Sequence, residues 1–190
     1  MALSAIPRFT QNCRYRGFTL IEALTALAVG SILLTAAVPA MQDFIIRNRM
    51  STEVNTFVAS LHLARSEAVK RIQNVGLCPT TDFTSCADST EWNIGWLVYA
   101  NNDSTPGYDP SAGDEILQRN PGLPSRFTIN GSQDFITYNP VGQVNAGNYK
   151  FCDTGNIAEG RKVEISSDGR AYVVALGISD CTESGDGNGH

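Results

Sequence analysis

Residues Arg16 to Pro39 read R-G-F-T-L-I-E-A-L-T-A-L-A-V-G-S-I-L-L-T-A-A-V-P. From Phe18 to Ala40 nearly every position is apolar or small, and Glu22 is the sole charge. At about 1.5 Å rise per residue, a helix of this length matches a bilayer core of roughly 30 Å. An unpaired carboxylate inside such a span costs roughly 2.5–3.5 kcal/mol on insertion scales. Glu22 therefore calls for a partner.

The flanks offer one. The first seventeen residues hold Arg8, Arg14 and Arg16, no acid, and end in Arg16-Gly17 directly before the apolar run. A cut after Gly17 would give Phe18 a new α-amino group, with Glu22 four residues on and on the same helical face. The carboxylate could compensate that amine or a neighbouring copy's, and an acid near a helix N-terminus suits the macrodipole. The plainer alternatives are an ordinary signal anchor or a secretory signal cut near Ala36-Ala37. Neither accounts for Glu22 or for the placement of Gly17.

Arg-Gly before Phe18-Thr19-Leu20-Ile21-Glu22, with a long apolar helix behind it and Pro39 near its end, resembles the class III signal of type IV pilins and pseudopilins. That resemblance implies cleavage between Gly17 and Phe18 by a prepilin peptidase and N-methylation of Phe18. It implies an inner-membrane protein with one span, its C-terminal domain periplasmic until the helix packs in a filament core. Glu22 and Pro39 would serve assembly, and the partners would be other minor and major pilins or pseudopilins.

The chain has 190 residues, so residues 1–17 as a cleaved leader and a long helix leave room for one further domain. The leader carries three of the 14 Lys and Arg and none of the 19 Asp and Glu, so the mature chain has a net charge of −8. Such acidity excludes a general nucleic-acid binder, whose phosphate affinity comes from Lys and Arg. Cys13 lies in the leader, while Cys78, Cys86, Cys152 and Cys181 fall in the part the anchor would place outside the cytoplasm. Four cysteines allow three pairings. Cys78–Cys86 with Cys152–Cys181 is the expected one, closing a short loop and pinning the tail. Zinc is disfavoured because C-x-x-C and a nearby His are both missing.

Beyond Pro39 the helical period persists. Val54, Phe57, Val58, Leu61, Ala64, Ala68 and Ile72 recur at threes and fours, with Arg47, Arg49, Glu53, Arg65, Glu67, Lys70 and Arg71 on the other side. Pro39 should mark a bend, and Gly76 and Pro79 a stop, giving a helix over 18–75 with residues 18–40 transmembrane and the remainder amphipathic. His62 reads as a surface or packing residue. Leu61 to Arg71, L-H-L-A-R-S-E-A-V-K-R, resembles the end of the first helix in the GspH/FimT/FimU group of minor pilins and pseudopilins.

Past the helix the period changes to two. Residues 95–100, 115–119, 126–129, 134–138, 148–152, 161–165 and 171–176 read as strands, and Asp168-Gly169 as a hairpin turn. The expectation is an α+β fold: the long N-terminal helix packed on a C-terminal antiparallel β-sandwich-like domain. That disulfide-bonded domain would span 76–181, with 182–190 a flexible tail.

Several motifs invite chemistry. Asp103, Asp109, Asp114 and Glu115 could hold calcium, but EF-hand spacing is lacking and a solvated acidic loop fits better. The same stretch, after Gly95-Trp96, resembles a loop of GspH/FimT-like proteins. Asp153-Thr154-Gly155 imitates an aspartic-protease triplet, yet such a site needs two carboxylates and no second triplet occurs. Cys152-Asp153 instead resembles a pair near the end of the family's β-domain. With two histidines and no orienting partner for either, nucleophilic catalysis has no base. The expected protein is no enzyme and needs no cofactor or metal.

One lead is basic: Lys150, Arg161, Lys162 and Arg170 come late in the chain, mixed with Glu159, Glu164 and Asp168. DNA-binding members of the family carry a G-R-x-R motif; the nearest match here is Gly169-Arg170-Ala171-Tyr172, where Tyr172 replaces the second arginine. The resemblance as a whole implies a minor pilin that joins and primes a type IV pilus at or near its tip. The alternatives are a GspH-like pseudopilin of type II secretion and a FimT-like DNA-binding minor pilin for natural transformation.

Overall fold

The structure is a computed structural model that describes residues 17–182. The leader up to Arg16, with Cys13, and the tail beyond Thr182 lie outside the described residues. The chain divides into two compact units, Met1–Met41 and Gln42–His190. Helix α1 (Leu20–Arg71) supplies the described helix of the first unit and opens the second, and it runs through Pro39. In the first unit the large apolar side chains from Phe18 to Val38 are exposed. Among the described residues α1 is the one helix long and apolar enough to cross a membrane.

In the second unit α1 becomes a core element. Met50, Val54, Phe57, Leu61, Ala64 and Ala68, spaced by fours and threes, are each 2% exposed or less. This is the stripe that a 3.6-residue period lays along one helix face. Two antiparallel sheets receive it. One has the order β3 (Glu115–Pro121), β2 (Gly95–Asn101), β1 (Asn74–Pro79), β5 (Ile136–Tyr138). The other has the order β4 (Phe127–Gly131), β6 (Gly147–Asp153), β7 (Gly160–Ile165), β8 (Ala171–Leu176). Leu77, Trp96 and Val98 of the first sheet and Ile129, Tyr149, Phe151 and Val163 of the second meet the helix in one core.

Phe57 is its centre. Its ring lies 5.7 Å from Trp92, 5.5 Å from Trp96, 5.2 Å from Tyr149 and 5.5 Å from Phe151. Most of these contacts are edge-on, the arrangement that aromatic quadrupoles favour. Trp96 Nε1 donates to Ser60 Oγ at 3.1 Å, so the buried indole is satisfied by the helix it packs on.

Each of the seven expected runs holds a strand; β1 is an eighth, where a helix stop was expected. The helix ends at Arg71, earlier than the 75 read from Gly76 and Pro79. The reason is local: Ile72 takes a left-handed φ of +56°, and Gln73 N–H reaches back to the Ala68 carbonyl at 3.2 Å. That six-residue closure is a Schellman turn built without glycine. The chain then enters β1, one of the two inner strands of its sheet, whose N-V-G-L-C-P sequence shows no alternation because its last five residues are all buried. Gly76 is required there, since an added Cβ would lie 2.4 Å from Cζ of Tyr99.

All of β2 is buried as well. Its second face carries Leu97 and Tyr99, which form a smaller core with Cys78, covered by Phe83, Cys86, Tyr108 and Phe135. Cys78 is bonded to Cys86 with 5.6 Å between Cα atoms, and Cys152 to Cys181 with 5.7 Å. Cys181 lies in a one-turn helix α2 (Ser179–Thr182).

Candidate functional site

The start of α1 is built by three short-range bonds. Thr19 caps the helix: its hydroxyl accepts from the Glu22 N–H at 3.3 Å, and its carbonyl from the Ala23 N–H at 3.1 Å. Thr25 Oγ1 donates to the Glu22 carbonyl at 3.0 Å. Glu22 is thus the third helical residue behind a threonine cap, the capping-box position, where an acid faces the positive end of the helix dipole. Sequence reading passed over Thr19; the signal was T-x-x-E ahead of an apolar run.

Phe18 and Glu22 are both exposed, and among the described residues nothing pairs with the Glu22 carboxylate. Gly17 stands clear, with nothing within 4 Å of where its Cβ would be. Among the described residues, nothing covers the junction between Gly17 and Phe18. Pro39 lies inside α1 and takes no part in this cluster.

The four late cations are only partly brought together. Lys150 on β6 and Lys162 on β7 are cross-strand partners. Arg161 takes the opposite face, next to Arg47 and Asn48 of α1 in a cavity of about 130 Å³ that Glu159 also lines. Arg170 sits in the β7–β8 turn and pairs with Asp168 at 3.2 Å, while Lys162 pairs with Glu164 at 2.6 Å. Lys150 and Lys162 are the one adjacent couple.

Asp153 proves to be a structural anchor with a partner that sequence reading missed. Arg126 Nε donates to its Oδ1 at 2.6 Å and Nη2 to its Oδ2 at 3.1 Å. The same carboxylate accepts from the amides of Gly155, Ile157 and Ala158. Burial pushes its pKa up, but the guanidinium and the three amides outweigh this and hold it down at about 2. No sequence signal links residues 126 and 153; the β4–β6 register does, by setting Phe127 opposite Asp153.

The other acids turn inward on their own loops. Asp114 accepts from the amides of Asn102 at 2.7 Å and Asp109 at 2.9 Å. Asp82 accepts from the amides of Thr84 and Ser85 inside the Cys78–Cys86 loop, and these bonds hold its carboxyl well below the usual range. No group of three or more His, Cys, Asp or Glu among the described residues is placed to hold a metal ion.

The end of α1 is tied to the sheets. Arg65 donates to the carbonyls of Gly169 at 3.1 Å and Asp168 at 3.0 Å, clamping the β7–β8 turn. Arg71 bridges Glu67 on its own helix to Glu115 at the start of β3. His62, three residues before Arg65, is exposed.

Comparison with known proteins gives two family matches. Type II transport protein GspH matches residues 53–169, and the prokaryotic N-terminal methylation motif matches residues 12–38. Among solved structures, the type IV minor pilin FimU of Pseudomonas aeruginosa is 20% identical over 72% of this chain and 94% of its own, with a TM-score of 0.52. The minor pseudopilin EpsH from the type 2 secretion system of Vibrio cholerae is 13% identical over 66% of this chain and 95% of its own, with a TM-score of 0.47. The FimU likeness bears out the fold, a long helix with antiparallel sheets. No curated protein matches the sequence closely enough to count as a relative.

Proposed function

The chain belongs to the GspH family, and from that premise we propose that it is a minor pilin that joins and primes a type IV pilus, at or near its tip. The family is one of structural pilins and pseudopilins, not of enzymes. The observation that carries the proposal is that, among the described residues, nothing covers the Gly17–Phe18 junction and nothing pairs with the carboxylate on the third residue of an exposed apolar helix. Prepilin peptidase cleaves between Gly17 and Phe18, Phe18 is N-methylated, and the apolar helix stores the subunit in the inner membrane. On assembly, Glu22 meets the Phe18 amine of a neighbour and sets the register between subunits. The sheets that pack on α1 from Met50 onward present the surface that other minor and major pilins read.

The family's description, type II transport protein GspH, favours a second reading as a pseudopilin of type II secretion. The assembly chemistry is the same, so the two differ in which machine takes up the subunit. DNA contact has weaker support, since Lys162 and Arg170 each pair with an acid and Arg161 takes the other face.

The test is a Glu22→Ala chain in a host lacking the native gene. Its leader should be removed normally while piliation drops, and wild-type piliation by that variant would sink the proposal. Deleting the gene and scoring twitching against exoprotein export then separates pilus from pseudopilus.

A further inference from the structure

We propose that the free edge of β8 (Ala171–Leu176) pairs antiparallel with β8 of a second copy of this chain, joining two four-stranded sheets into one. The two sheets have four outer strands, β3, β5, β4 and β8. Folded proteins blunt such edges with charge, proline, brevity or cover. Three of these four are blunted in that way. β3 carries Glu115, Arg119 and Pro121. β5 has three residues, and the Asn145 side chain accepts its Thr137 N–H. β4 is bridged at Asn130 by Glu91, and its Gly131 N–H donates to Thr90.

Among the described residues, β8 has none of these protections. Its six residues, A-Y-V-V-A-L, include no charge and no proline. Among the described residues, none but those of β7 ladders with it. Its direction of pairing can be read from the turn. Ser166 N–H donates to the Arg170 carbonyl at 3.0 Å, so alternation commits Arg170, Tyr172, Val174 and Leu176 to β7. The N–H and C=O of Ala171, Val173 and Ala175 point to the open side.

The sequence of that edge is its own complement. With Val173 on a two-fold axis, Val173 faces Val173, Ala171 faces Ala175, and Tyr172 faces Val174 of the second copy. Three outward residues on each strand then exchange about six main-chain hydrogen bonds. Tyr172 against Val174 is an aromatic–β-branched pair of the kind that stabilises a sheet. No like charges meet along the six residues. The Arg170 end of each strand lies beside the end of the other that leads to Asp180, a cation towards an acid. Tyr172, Val173 and Val174 are 48%, 49% and 41% exposed, so both faces of the sheet stop short of cover at this edge. Val173 shares the core face with Val163, and a second β8 would extend the core past it. One strand per copy buries less than the roughly 800 Å² per partner of a stable interface, so the dimer is reversible and strongest where subunits are concentrated in a membrane plane.

The experiment uses the full chain in detergent micelles, in a Cys13→Ser background. Light scattering should show the protein mass doubling with concentration. Val173→Cys should give a covalent dimer on mild oxidation, several-fold faster than Val141→Cys, an exposed collision control. Val173→Pro removes an N–H that β7 does not use, and should abolish the dimer while leaving the melting temperature nearly unchanged. A chain that stays monomeric overturns the proposal, as does equal cross-linking at 141 and 173. So does a dimer that survives Val173→Pro, because its contact must then lie elsewhere, for example along the apolar helix.

Discussion

Arg126 holds Asp153 with two hydrogen bonds from one guanidinium, at 2.6 Å and 3.1 Å, across the start of β4 and the end of β6. The pair fixes the loop that follows β6, because the same carboxylate gathers three backbone amides. Asp153 sits at a point where the chain has no secondary structure to satisfy those amides. Its folded pKa of about 2 lies below the ordinary 3.8. The stability it contributes is therefore fully present above the unfolded value and is lost as pH falls from there through about 2.

Asp153→Asn should cost on the order of 2 kcal/mol at neutral pH. Denaturant midpoints measured from neutral pH down into this acid window should fall steeply for the native chain and more gently for the variant. Parallel curves would refute the assignment.

Ile72→Gly should stabilise the protein. A β-branched residue at φ +56° carries a strain of roughly 1–2 kcal/mol that glycine lacks, partly offset by glycine's greater freedom when unfolded. Ile72 is 80% exposed, so little packing is lost. The melting temperature should rise by a few degrees; a fall would mean that the side chain has a role the turn geometry does not reveal.

Gly76→Ala should cost about 1–3 kcal/mol by forcing a methyl against the Tyr99 ring. Tyr99→Ala in the same chain should recover part of that loss. A double-mutant cycle by chemical denaturation measures the coupling, and strict additivity would show that the clash is relieved some other way.

Phe57→Ala should be the most damaging single truncation, at about 3–5 kcal/mol, because four other rings lose a packing partner at once. Near-ultraviolet circular dichroism of the two tryptophans should weaken with it.

Arg65→Ala should loosen the β7–β8 turn. Two carbonyls lose their donor, worth about 1–2 kcal/mol. Hydrogen exchange should accelerate at Gly169 and its neighbours in the turn while the β1–β2 ladder stays protected. Uniform acceleration would point to a global loss of stability instead.

By itself the sequence determined the elements whose pattern is local. The apolar run with Glu22, the amphipathic stripe from Val54 to Ala68, seven strands and the Asp168-Gly169 turn all follow from periodicity or from residues that favour one backbone conformation. Tertiary structure decided the rest. β1 was invisible because a strand covered on both faces has no alternation to read, and its neighbour Ile72 turns the chain in a conformation that isoleucine seldom adopts. Arg126 and Asp153, 27 positions apart, become a pair only when β4 and β6 register. Of the late cations, Arg161 and Lys162 are adjacent in sequence and part company because successive residues of a strand point to opposite faces. At the helix start the balance reverses: Thr19, Glu22 and the Gly17–Phe18 junction lie within six residues, so a short stretch of sequence already holds every residue of that candidate site.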